Sequence, residues 1–357
     1  MADNEQVAAV LTDISALARR FTRPLRFMEV CGTHTVAIFR SGIRRMLPEN
    51  IRLVSGPGCP VCVTPEEYID QAVAYAEQGA IIATFGDMLK VPGNRSSLSV
   101  AQAAGGRVEI VYSPLDSLRV AKDNPTDKVI FLAVGFETTS PATAAAILAA
   151  QESGLDNLYF LAAPKLVPPA LTMLLSDPEV KVDGFLLPGH VAMVTGAKAF
   201  AFLPEQYNVP AVVAGFSALS ILRSVCELTR QKVSGQATLS NEYQEVVTAD
   251  GNTTAQNTTA EVYEPCDANW RGIGIIPQSG LRIREKYAAR DITKIRPIMP
   301  TVLPNKTACR CGEVLKGLIE PTACPLFDKT CVPEHAVGPC MVSVEGVCAA
   351  WHRYSAK

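Results

Sequence analysis

Short apolar segments alternate with helical patterns between residues 25 and 214, and this alternation limits the possible folds more than any other property of the chain. Each apolar segment is only a few residues long and is bounded by glycine or proline, which is typical of buried strands. Strands that alternate with helices predict an α/β fold, in which mostly parallel sheets are covered by helices. The eight predicted strands are Leu25–Val30, Ile51–Ser55, Ala80–Phe85, Val108–Tyr112, Lys128–Val134, Leu158–Ala162, Val182–Leu187 and Ala211–Ala214.

These strands fall into two sets of four, and the second set repeats the spacing of the first. We therefore expect a pseudo-repeat of two parallel-sheet β/α lobes, residues 25–124 and residues 125–232. Residues 1–24 predict an N-terminal helix, because their apolar side chains recur at helical spacing. After the second lobe the regular pattern ends, and the polar stretch Thr248–Thr259 leads towards a cluster of cysteines. Residues 233–357 therefore predict a separate C-terminal domain.

The sequence also predicts where the helix after the second strand begins. Thr64 and Glu67 form a capping-box pattern, and Pro65 suits the first helical position. The apolar face of this helix ends at Gly79, so we expect the helix to stop there.

Charge and hydropathy exclude several classes of function. The chain has 33 Lys and Arg residues against 35 Asp and Glu residues, so no excess of charge recruits nucleic acid or anionic lipid. Its apolar runs are far shorter than the roughly 18 residues of a membrane span, and no secretory signal is evident. We therefore expect a cytoplasmic protein, in which thiols stay reduced. Its 11 cysteines then point to metal binding or redox chemistry rather than to structural disulfides.

Cys31 follows the first predicted strand and precedes a helical pattern. A thiol at such a turn receives backbone amides and the positive end of the helix dipole, so we expect a lowered pKa. The thiolate is the form that binds metal or attacks as a nucleophile. His34 lies three residues further on, where it could ligate a metal or activate the thiol.

Cys59 and Cys62 form a Cys-x-x-Cys pair after the second predicted strand, with Pro60 between them. Such a pair at a helix start can form a reversible disulfide. The alternative is half of a zinc site, although no second Cys-x-x-Cys is present to complete it. Cys31 and this pair follow neighbouring strands in the sequence, so we expect them on the same rim.

Three more ionisable residues follow predicted strands, namely Asp87, Glu137 and His190. The carboxyl ends of parallel strands are where α/β proteins keep polar site residues, although each of the three could instead cap a helix or stabilise a turn. The segment from Gly56 to Gly58 is not a dinucleotide-binding fingerprint, because Cys59 follows where open backbone is required.

Six cysteines lie within the last 50 residues. Four thiolates satisfy either a tetrahedral zinc ion or an iron–sulfur cluster. Because paired Cys-x2-Cys knuckles are missing and Cys324 precedes a proline, we favour iron–sulfur. The four proposed ligands are Cys311, Cys324, Cys331 and Cys348, which leaves Cys309 and Cys340 as well as the more distant Cys226 and Cys266.

Taken together, these segments closely resemble the HypD family of [NiFe]-hydrogenase maturation factors over residues 25–354. The resemblance rests on several motifs that occur in the same order. They are Cys31-Gly-Thr-His-Thr35, Gly56-Pro-Gly-Cys-Pro-Val-Cys62, Thr84-Phe-Gly-Asp87, Gly135-Phe-Glu-Thr-Thr139, Pro188-Gly-His-Val191, and Cys324-Pro-Leu-Phe327 with Met341-Val-Ser-Val-Glu-Gly-Val-Cys348.

The resemblance implies two Rossmann-like lobes and a C-terminal domain that holds a 4Fe-4S cluster. It also implies a scaffold on which iron receives two cyanides and one carbon monoxide, giving the Fe(CN)2CO group. The implied partners are the small chaperone HypC and the cyanide donor HypE.

The resemblance also assigns roles to individual residues. Cys31 matches the iron-binding cysteine, with His34 beside it, and Cys59 and Cys62 match a redox-active pair. The resemblance places Asp87, Glu137 and His190 in motifs that face a central cleft. The cluster ligands are matched by Cys311, Cys324, Cys331 and Cys348.

One segment departs from the family pattern. Where the family has Gly-Phe-Glu-Pro-Leu-Asp, this chain reads Gly-Phe-Ser-Ala-Leu-Ser from Gly215 to Ser220 and lacks both carboxylates. The departure leaves the cysteine chemistry untouched but puts in doubt any function assigned to this loop.

The resulting hypothesis is a scaffold with redox activity. Cys31 would hold iron, a partner cysteine would complete its coordination, and electrons would move between the C-terminal cluster and the Cys59/Cys62 pair. A stand-alone iron–sulfur protein disulfide reductase is the alternative, and a zinc-stabilised binding protein is a third interpretation. Whether the scaffold is itself an enzyme stays open at this point.

Overall fold

A computed structural model describes residues 2–299 and 307–355 of the chain. The strands are β1 Leu25–Glu29, β2 Ile51–Ser55, β3 Ile81–Thr84, β4 Arg107–Ile110, β5 Val129–Ala133, β6 Leu158–Ala162, β7 Gly184–Pro188, β8 Ala211–Ala214, β9 Leu239–Asn241, β10 Tyr263–Trp270 and β11 Gly274–Ile283. All eight strands expected from the sequence are present, with small shifts at their ends.

The first of the helices lies before β1 and occupies most of the segment predicted as an N-terminal helix. The helices are α1 Ala2–Ala18, α2 Gly32–Arg40, α3 Ile43–Met46, α4 Glu66–Glu77, α5 Leu98–Ala103, α6 Asp116–Asp123, α7 Ser140–Glu152, α8 Val167–Ser176, α9 Gly189–Thr195, α10 Phe202–Tyr207, α11 Ala218–Ser234, α12 Thr253–Val262, α13 Ile292–Ile295, α14 Cys311–Leu315, α15 Pro339–Val342 and α16 Val347–Tyr354. Short 3₁₀ turns span Gly86–Met88, Ala197–Phe200, Glu285–Arg290 and Pro321–Ala323.

The strands β1 to β9 form two parallel sheets, which confirms the α/β class. Sheet A has the order β2-β1-β7-β8-β9, and sheet B has the order β4-β3-β5-β6. The expectation that each set of four consecutive strands would form its own sheet is wrong. The chain begins sheet A with two strands, builds all of sheet B, and then returns to complete sheet A. Strand pairing is a long-range property, so a regular spacing of similar segments does not reveal which strands are neighbours.

The predicted boundaries therefore do not coincide with the sheets. Residues 25–124 contribute strands to both sheets, as do residues 125–232. The small strand β9 also falls beyond residue 232 and extends sheet A, where it pairs with β8.

Each sheet reverses its strand order at one point. In sheet A the reversal lies between β1 and β7, which pair through Met28 and Phe185. In sheet B it lies between β3 and β5, which pair through Ile82 and Ile130. The carboxyl end of an open α/β sheet has a crevice at such a switch point, and ligands bind there. The residues that follow these four strands are Cys31, His190, Asp87 and Glu137.

The largest hydrophobic core lies between the two sheets. It contains Met28 from β1 and Leu187 from β7, together with Ile82 and Leu132 from sheet B. Helices α1, α2 and α11 cover the outer face of sheet A, and Ile147 of α7 packs in the core on the outer face of sheet B. The shared central core holds the two carboxyl edges in a fixed relation to each other.

The start of α4 differs from the predicted capping box. Pro65 is the residue before the first turn, and the helix lacks a side-chain cap. The hydroxyl of Thr64 instead donates a hydrogen bond to the carbonyl oxygen of Pro60, at 2.9 Å. Thr64 thus stabilises the loop that carries Cys59 and Cys62. The predicted helix stop is confirmed, since Gly79 follows the end of α4 with φ +89°.

The C-terminal part of the chain contains an antiparallel hairpin of β10 and β11, followed by short helices. Trp270, at the end of β10, is fully buried, and its indole nitrogen donates to the hydroxyl of Ser279 at 2.8 Å. Its ring stacks with Phe136 of the loop after β5, so the hairpin is attached to sheet B. Among the helices of the described residues, none combines the length and apolar character that crossing a membrane requires.

Candidate functional site

The carboxyl edges of the two sheets face a cleft of about 410 Å³. Loops after β1, β2, β5 and β7 contribute to its wall, and a segment near the C-terminus closes one side. The lining residues that carry reactive or polar groups are Cys31, Thr33, Thr138, Thr139, His190 and Glu345. Of the three residues expected to face a central cleft, His190 lines it directly, and so does Cys31, the proposed iron ligand.

Cys31 is the last residue before α2, as the sequence predicts. Its backbone N–H donates to Oε2 of Glu29 at 3.2 Å. The expected lowering of its pKa is wrong, because burial raises the pKa of the thiol to about 12. Backbone amides of His34 and Thr33 act in the opposite direction but do not outweigh the loss of water. In this closed setting the thiol is neutral unless a metal cation or a base takes its proton.

Glu29 is a site residue that the sequence reasoning missed. It ends β1 and is fully buried, and its Oε1 accepts a hydrogen bond from the hydroxyl of Thr35 at 2.6 Å. Burial raises its pKa to about 7. One carboxyl group thus joins the backbone before α2 to the first turn of that helix and holds the Cys31 backbone in place. The only sequence signal was an acidic residue at the end of a largely apolar strand.

His34 and His190 both stack with one aromatic ring. The ring of Phe216 lies 4.6 Å from the His34 ring and 4.0 Å from the His190 ring. His34 is fully buried, and its Nε2 lies 3.0 Å from the carbonyl oxygen of Gly215, so Nε2 carries the proton. Its Nδ1 is buried without a hydrogen-bond partner among the described residues. Burial lowers its pKa to about 4, so the ring is neutral.

The two histidines differ in their access to the cleft. His34 is buried away from solvent, whereas His190 is exposed on the cleft wall. Burial of part of its ring also lowers the pKa of His190, although Glu345 acts in the opposite direction. Of the two histidines, His190 is therefore the one that a bound group in the cleft can reach.

Cys59 and Cys62 are joined by a disulfide, with 5.3 Å between their Cα atoms. Both residues are buried, and their loop packs directly against the Cys31 turn. The N–H of Gly32 donates to the carbonyl oxygen of Gly58 at 2.9 Å. A Cβ atom at Gly58 would lie only 2.2 Å from the backbone nitrogen of Cys31, so this position requires glycine. The expected placement of the three cysteines on one rim is confirmed.

Asp87 and Glu137, which were expected at the cleft, are not among the described residues that line it, and both make structural contacts. Asp87 accepts a hydrogen bond from the hydroxyl of Ser343 at 2.9 Å, which ties sheet B to the C-terminal part of the chain. Oε1 of Glu137 accepts from the N–H of Val167 at 2.8 Å and thereby caps α8. Its Oε2 is buried without a partner among the described residues, and burial raises its pKa to about 7.

Glu345 is a second residue that the sequence reasoning did not single out. It lines the cleft, and its Oε1 accepts a hydrogen bond from the hydroxyl of Thr33 at 2.6 Å. A Cβ atom at Gly32 would lie 2.5 Å from the Cβ of Glu345, so the two segments are in close contact. The signal for it was its place in the motif from Met341 to Cys348, although spacing alone did not connect that motif with the Cys31 turn.

The segment that departs from the family pattern still caps its helix. Ser217 precedes α11, and its hydroxyl accepts a hydrogen bond from the N–H of Ser220 at 3.1 Å. The hydroxyl of Ser220 in turn accepts from the N–H of Gly215 at 2.9 Å. The two serines therefore support the loop that presents Phe216, and they do so without adding negative charge beside the cleft.

The six C-terminal cysteines surround one small enclosed space. Val314, Phe327 and Met341 supply apolar walls. The cysteines that line it are Cys309, Cys311, Cys324, Cys331, Cys340 and Cys348. We call this space the cysteine cavity. It contains the four proposed cluster ligands together with the two cysteines that the sequence reasoning set aside, so position alone does not separate the two groups.

The donor set of the cysteine cavity fits an iron–sulfur cluster. Cluster ligands are thiolates, and apolar walls exclude water from the sulfur atoms. In residues 2–299 and 307–355, no group of three or more His, Cys, Asp or Glu side chains is placed to hold a single metal ion. Ligands of a cluster bind different iron atoms and stand farther apart than ligands of one ion, so the two observations are compatible.

The fold and these features define a class of protein: an α/β protein with a buried cysteine at a cleft between two parallel sheets and a cysteine-rich C-terminal region. The profile of the family described as "HypD: Hydrogenase formation hypA family" matches residues 5–355. The chain is also 45% identical to the hydrogenase maturation factor HypD of Escherichia coli over 345 residues, which is 95% of this chain and 92% of that protein.

Two further relatives give the same result. The hydrogenase maturation factor HypD of Cupriavidus necator is 42% identical over 361 residues, which is 99% of this chain and 95% of that protein. A putative hydrogenase expression/formation protein of Methanocaldococcus jannaschii is 40% identical over 352 residues, covering 99% of this chain and 98% of that protein. The chain belongs to the HypD family, as its motifs indicated.

Proposed function

We propose that this protein is a scaffold on which the Fe(CN)2CO group of [NiFe]-hydrogenase is assembled. The observation that carries the proposal is the position of Cys31, which is buried at the switch point of sheet A and lines the cleft. Family membership supports the same role, because the relatives above are named as hydrogenase maturation or formation proteins. The iron is cargo in this scheme and would leave with the partner.

Cys31 would bind the iron through its sulfur. Its proton must leave when the metal binds, since the free thiol is held neutral by burial. Thiolate is a soft ligand that suits low-spin iron carrying cyanide and carbon monoxide. A cysteine of a HypC-type chaperone would complete the coordination from the open side of the cleft, and a HypE-type partner would supply cyanide.

Groups on the wall of the cleft would interact with the ligands on the iron. His190 and Glu345 line it and offer a proton donor and an acceptor to ligands on the iron. Glu29 and the Gly58 loop hold the Cys31 backbone, so the sulfur is presented in one direction. Closure by the partner would exclude water from the bound iron.

The Cys59–Cys62 disulfide supports a redox role next to the iron site. Reducing it takes two electrons and two protons and yields two thiols directly behind Cys31. Cys311, Cys324, Cys331 and Cys348 would hold a 4Fe-4S cluster, which supplies one-electron chemistry when bound.

The test is infrared spectroscopy on the complex with the HypC-type partner, purified without oxygen. The Cys31→Ser chain should still bind the partner but should lack the cyanide and carbonyl bands. Cys226→Ala is the matched control, because Cys226 is buried in α11 on the outer face of sheet A and should leave the bands unchanged. Bands of normal intensity in the Cys31→Ser complex would refute the proposed role.

A stand-alone iron–sulfur disulfide reductase is the second candidate, and the disulfide itself favours it. However, Cys59 is only 2% exposed and Cys62 is fully buried, so a thiol of another protein cannot approach either sulfur without a rearrangement. Iron counting separates the two functions. More than four iron atoms per complex supports the scaffold, whereas about four atoms and no infrared bands support the reductase.

A further inference from the structure

The turn between β10 and β11 connects the Cys59/Cys62 loop with the cysteine cavity. The backbone N–H of Arg271 donates to the carbonyl oxygen of Val63 at 2.9 Å. Gly272, with φ +74°, lies against Gly312, which directly follows Cys311. A Cβ atom at Gly272 would be 2.7 Å from the Cα of Gly312 and 3.7 Å from Sγ of Cys311. The turn is therefore packed between the two groups of cysteines, with no room for a larger residue.

Arg271 places a buried positive charge between the two groups of cysteines. Its side chain is only 5% exposed. The Nε atom lies 3.0 Å from Oε1 of Glu66 in the first turn of α4, and Nη1 donates to the carbonyl oxygen of Pro92 at 2.7 Å. A buried guanidinium without such partners would be strongly destabilising. These contacts hold it in one position.

The same side chain faces the cysteine-rich region. Arg271 lines a second cavity, of about 380 Å³, together with Cys309 and Cys311, both of which also line the cysteine cavity. Glu66 lies on the wall of the second cavity as well, so a positive and a negative side chain stand at its edge as a pair.

Each of the two charges changes the reduction potential of any redox group that these thiols bind. One-electron reduction adds one negative charge to an iron–sulfur cluster, and a nearby fixed cation stabilises that reduced form. A nearby carboxylate has the opposite effect. Buried charges are screened little by salt, so both effects persist at physiological ionic strength.

We propose that the positive charge of Arg271 raises the reduction potential of the group bound in the cysteine cavity. The negative charge of Glu66 limits this effect. The inference rests on the proposed function, because it requires a cluster at these cysteines. It goes beyond that function by naming two residues, neither of them a ligand, that set the potential at which the cluster accepts an electron.

The experiment compares Arg271→Gln, Arg271→Lys and Glu66→Gln in the full chain purified without oxygen. Iron content and visible absorption are measured first. The reduction potential is then determined by a redox titration followed by electron paramagnetic resonance. Arg271→Gln should lower the equilibrium constant for one-electron reduction about tenfold, which corresponds to about 59 mV. Arg271→Lys should lower it less, because the positive charge remains.

Glu66→Gln is the decisive variant. It should shift the potential upwards, because it removes the negative partner and leaves the charge of Arg271. Loosened packing alone would move the potential of both variants in the same direction. Shifts of equal sign, or unchanged potentials with full iron content, would refute the role of Arg271 and leave the scaffold function intact. Absence of an iron–sulfur chromophore from the native protein would refute both proposals.

Discussion

Thr33 and Glu345 are 312 residues apart in the sequence, yet the hydroxyl of Thr33 donates a hydrogen bond of 2.6 Å to the carboxylate of Glu345. Thr33 closely follows Cys31, and Glu345 closely precedes Cys348 of the cysteine cavity. The proposed iron-binding turn and the cysteine-rich region are thus joined directly by this hydrogen bond. Structure in one region should therefore depend on structure in the other.

Replacing Glu345 with Ala should weaken this connection. A hydrogen bond to a charged acceptor contributes about 1.5–3 kcal/mol, and we expect the lower end here because Glu345 is partly exposed. Chemical denaturation should show this loss, and the complex with the HypC-type partner should retain less iron. Val344→Ala is the matched control, since Val344 is 52% exposed and should change neither quantity. Equal iron retention in the two variants would contradict the prediction.

Gly58→Ala should disturb the Cys31 turn, because the added Cβ would meet the backbone nitrogen of Cys31 at 2.2 Å. Backbone cannot move aside as a flexible side chain can, so we expect a loss of about 1–3 kcal/mol in the free energy of unfolding. Gly86→Ala is the control, because its Cβ would meet only Ile110, at an ordinary 3.7 Å. Denaturant titration of both variants gives the comparison, and similar stabilities would show that the Gly58 contact can relax.

His34 should make stability depend on pH. Its pKa is about 4 in the folded chain, below the usual 6.5, so the unfolded chain binds more protons between these values. The stabilisation from the neutral ring is therefore complete above pH 6.5 and is lost as the pH falls towards 4. Glu29 has the opposite tendency, because its pKa is raised from 4.5 to about 7 and the folded state becomes less stable as the pH rises through that range.

The variant His34→Gln isolates the histidine contribution, because glutamine can donate to Gly215 but does not titrate. Glu29 is unchanged in both chains, so its effect cancels in the comparison. The native chain should lose more stability than the variant between pH 6.5 and pH 4, as measured by denaturant titration at each pH. Parallel curves would mean that His34 does not titrate as a buried neutral ring.

Glu137→Gln tests whether this residue acts as a cap or as an ionised site residue. Its pKa is raised from 4.5 to about 7, so the native chain loses stability as the pH rises through this range and the buried carboxyl group ionises. The glutamine oxygen can still accept from Val167, so the variant should match the native chain near pH 4.5 and should be more stable above pH 7. Glu137→Ala should be about 0.5–2 kcal/mol less stable than Glu137→Gln at both ends of the range, because α8 loses its cap. Denaturant titration at the two pH values checks both variants, and a Gln variant that is less stable above pH 7 would contradict the prediction.

Much of the local structure could be predicted from the sequence. Patterns within short segments were enough to predict the eight strands and the position of Cys31 before α2. The proximity of Cys31 to the Cys59/Cys62 loop was expected because the two follow consecutive strands. Two parallel strands that end in polar residues place those residues at the same edge whatever their order. The motifs were also sufficient to indicate the family.

The neighbours of each strand could not be predicted, because β1 pairs with β7 although all of sheet B lies between them in the sequence. The roles of Glu29 and Glu345 depend on contacts with residues that folding brings near. The direction of the Cys31 pKa was predicted wrongly, since local amides favour the thiolate but burial between two sheets disfavours it more strongly. Local sequence therefore specifies the secondary-structure elements and the reactive residues. Their neighbours and their access to water depend on the assembled fold, because pairing, burial and desolvation arise only when distant segments pack together.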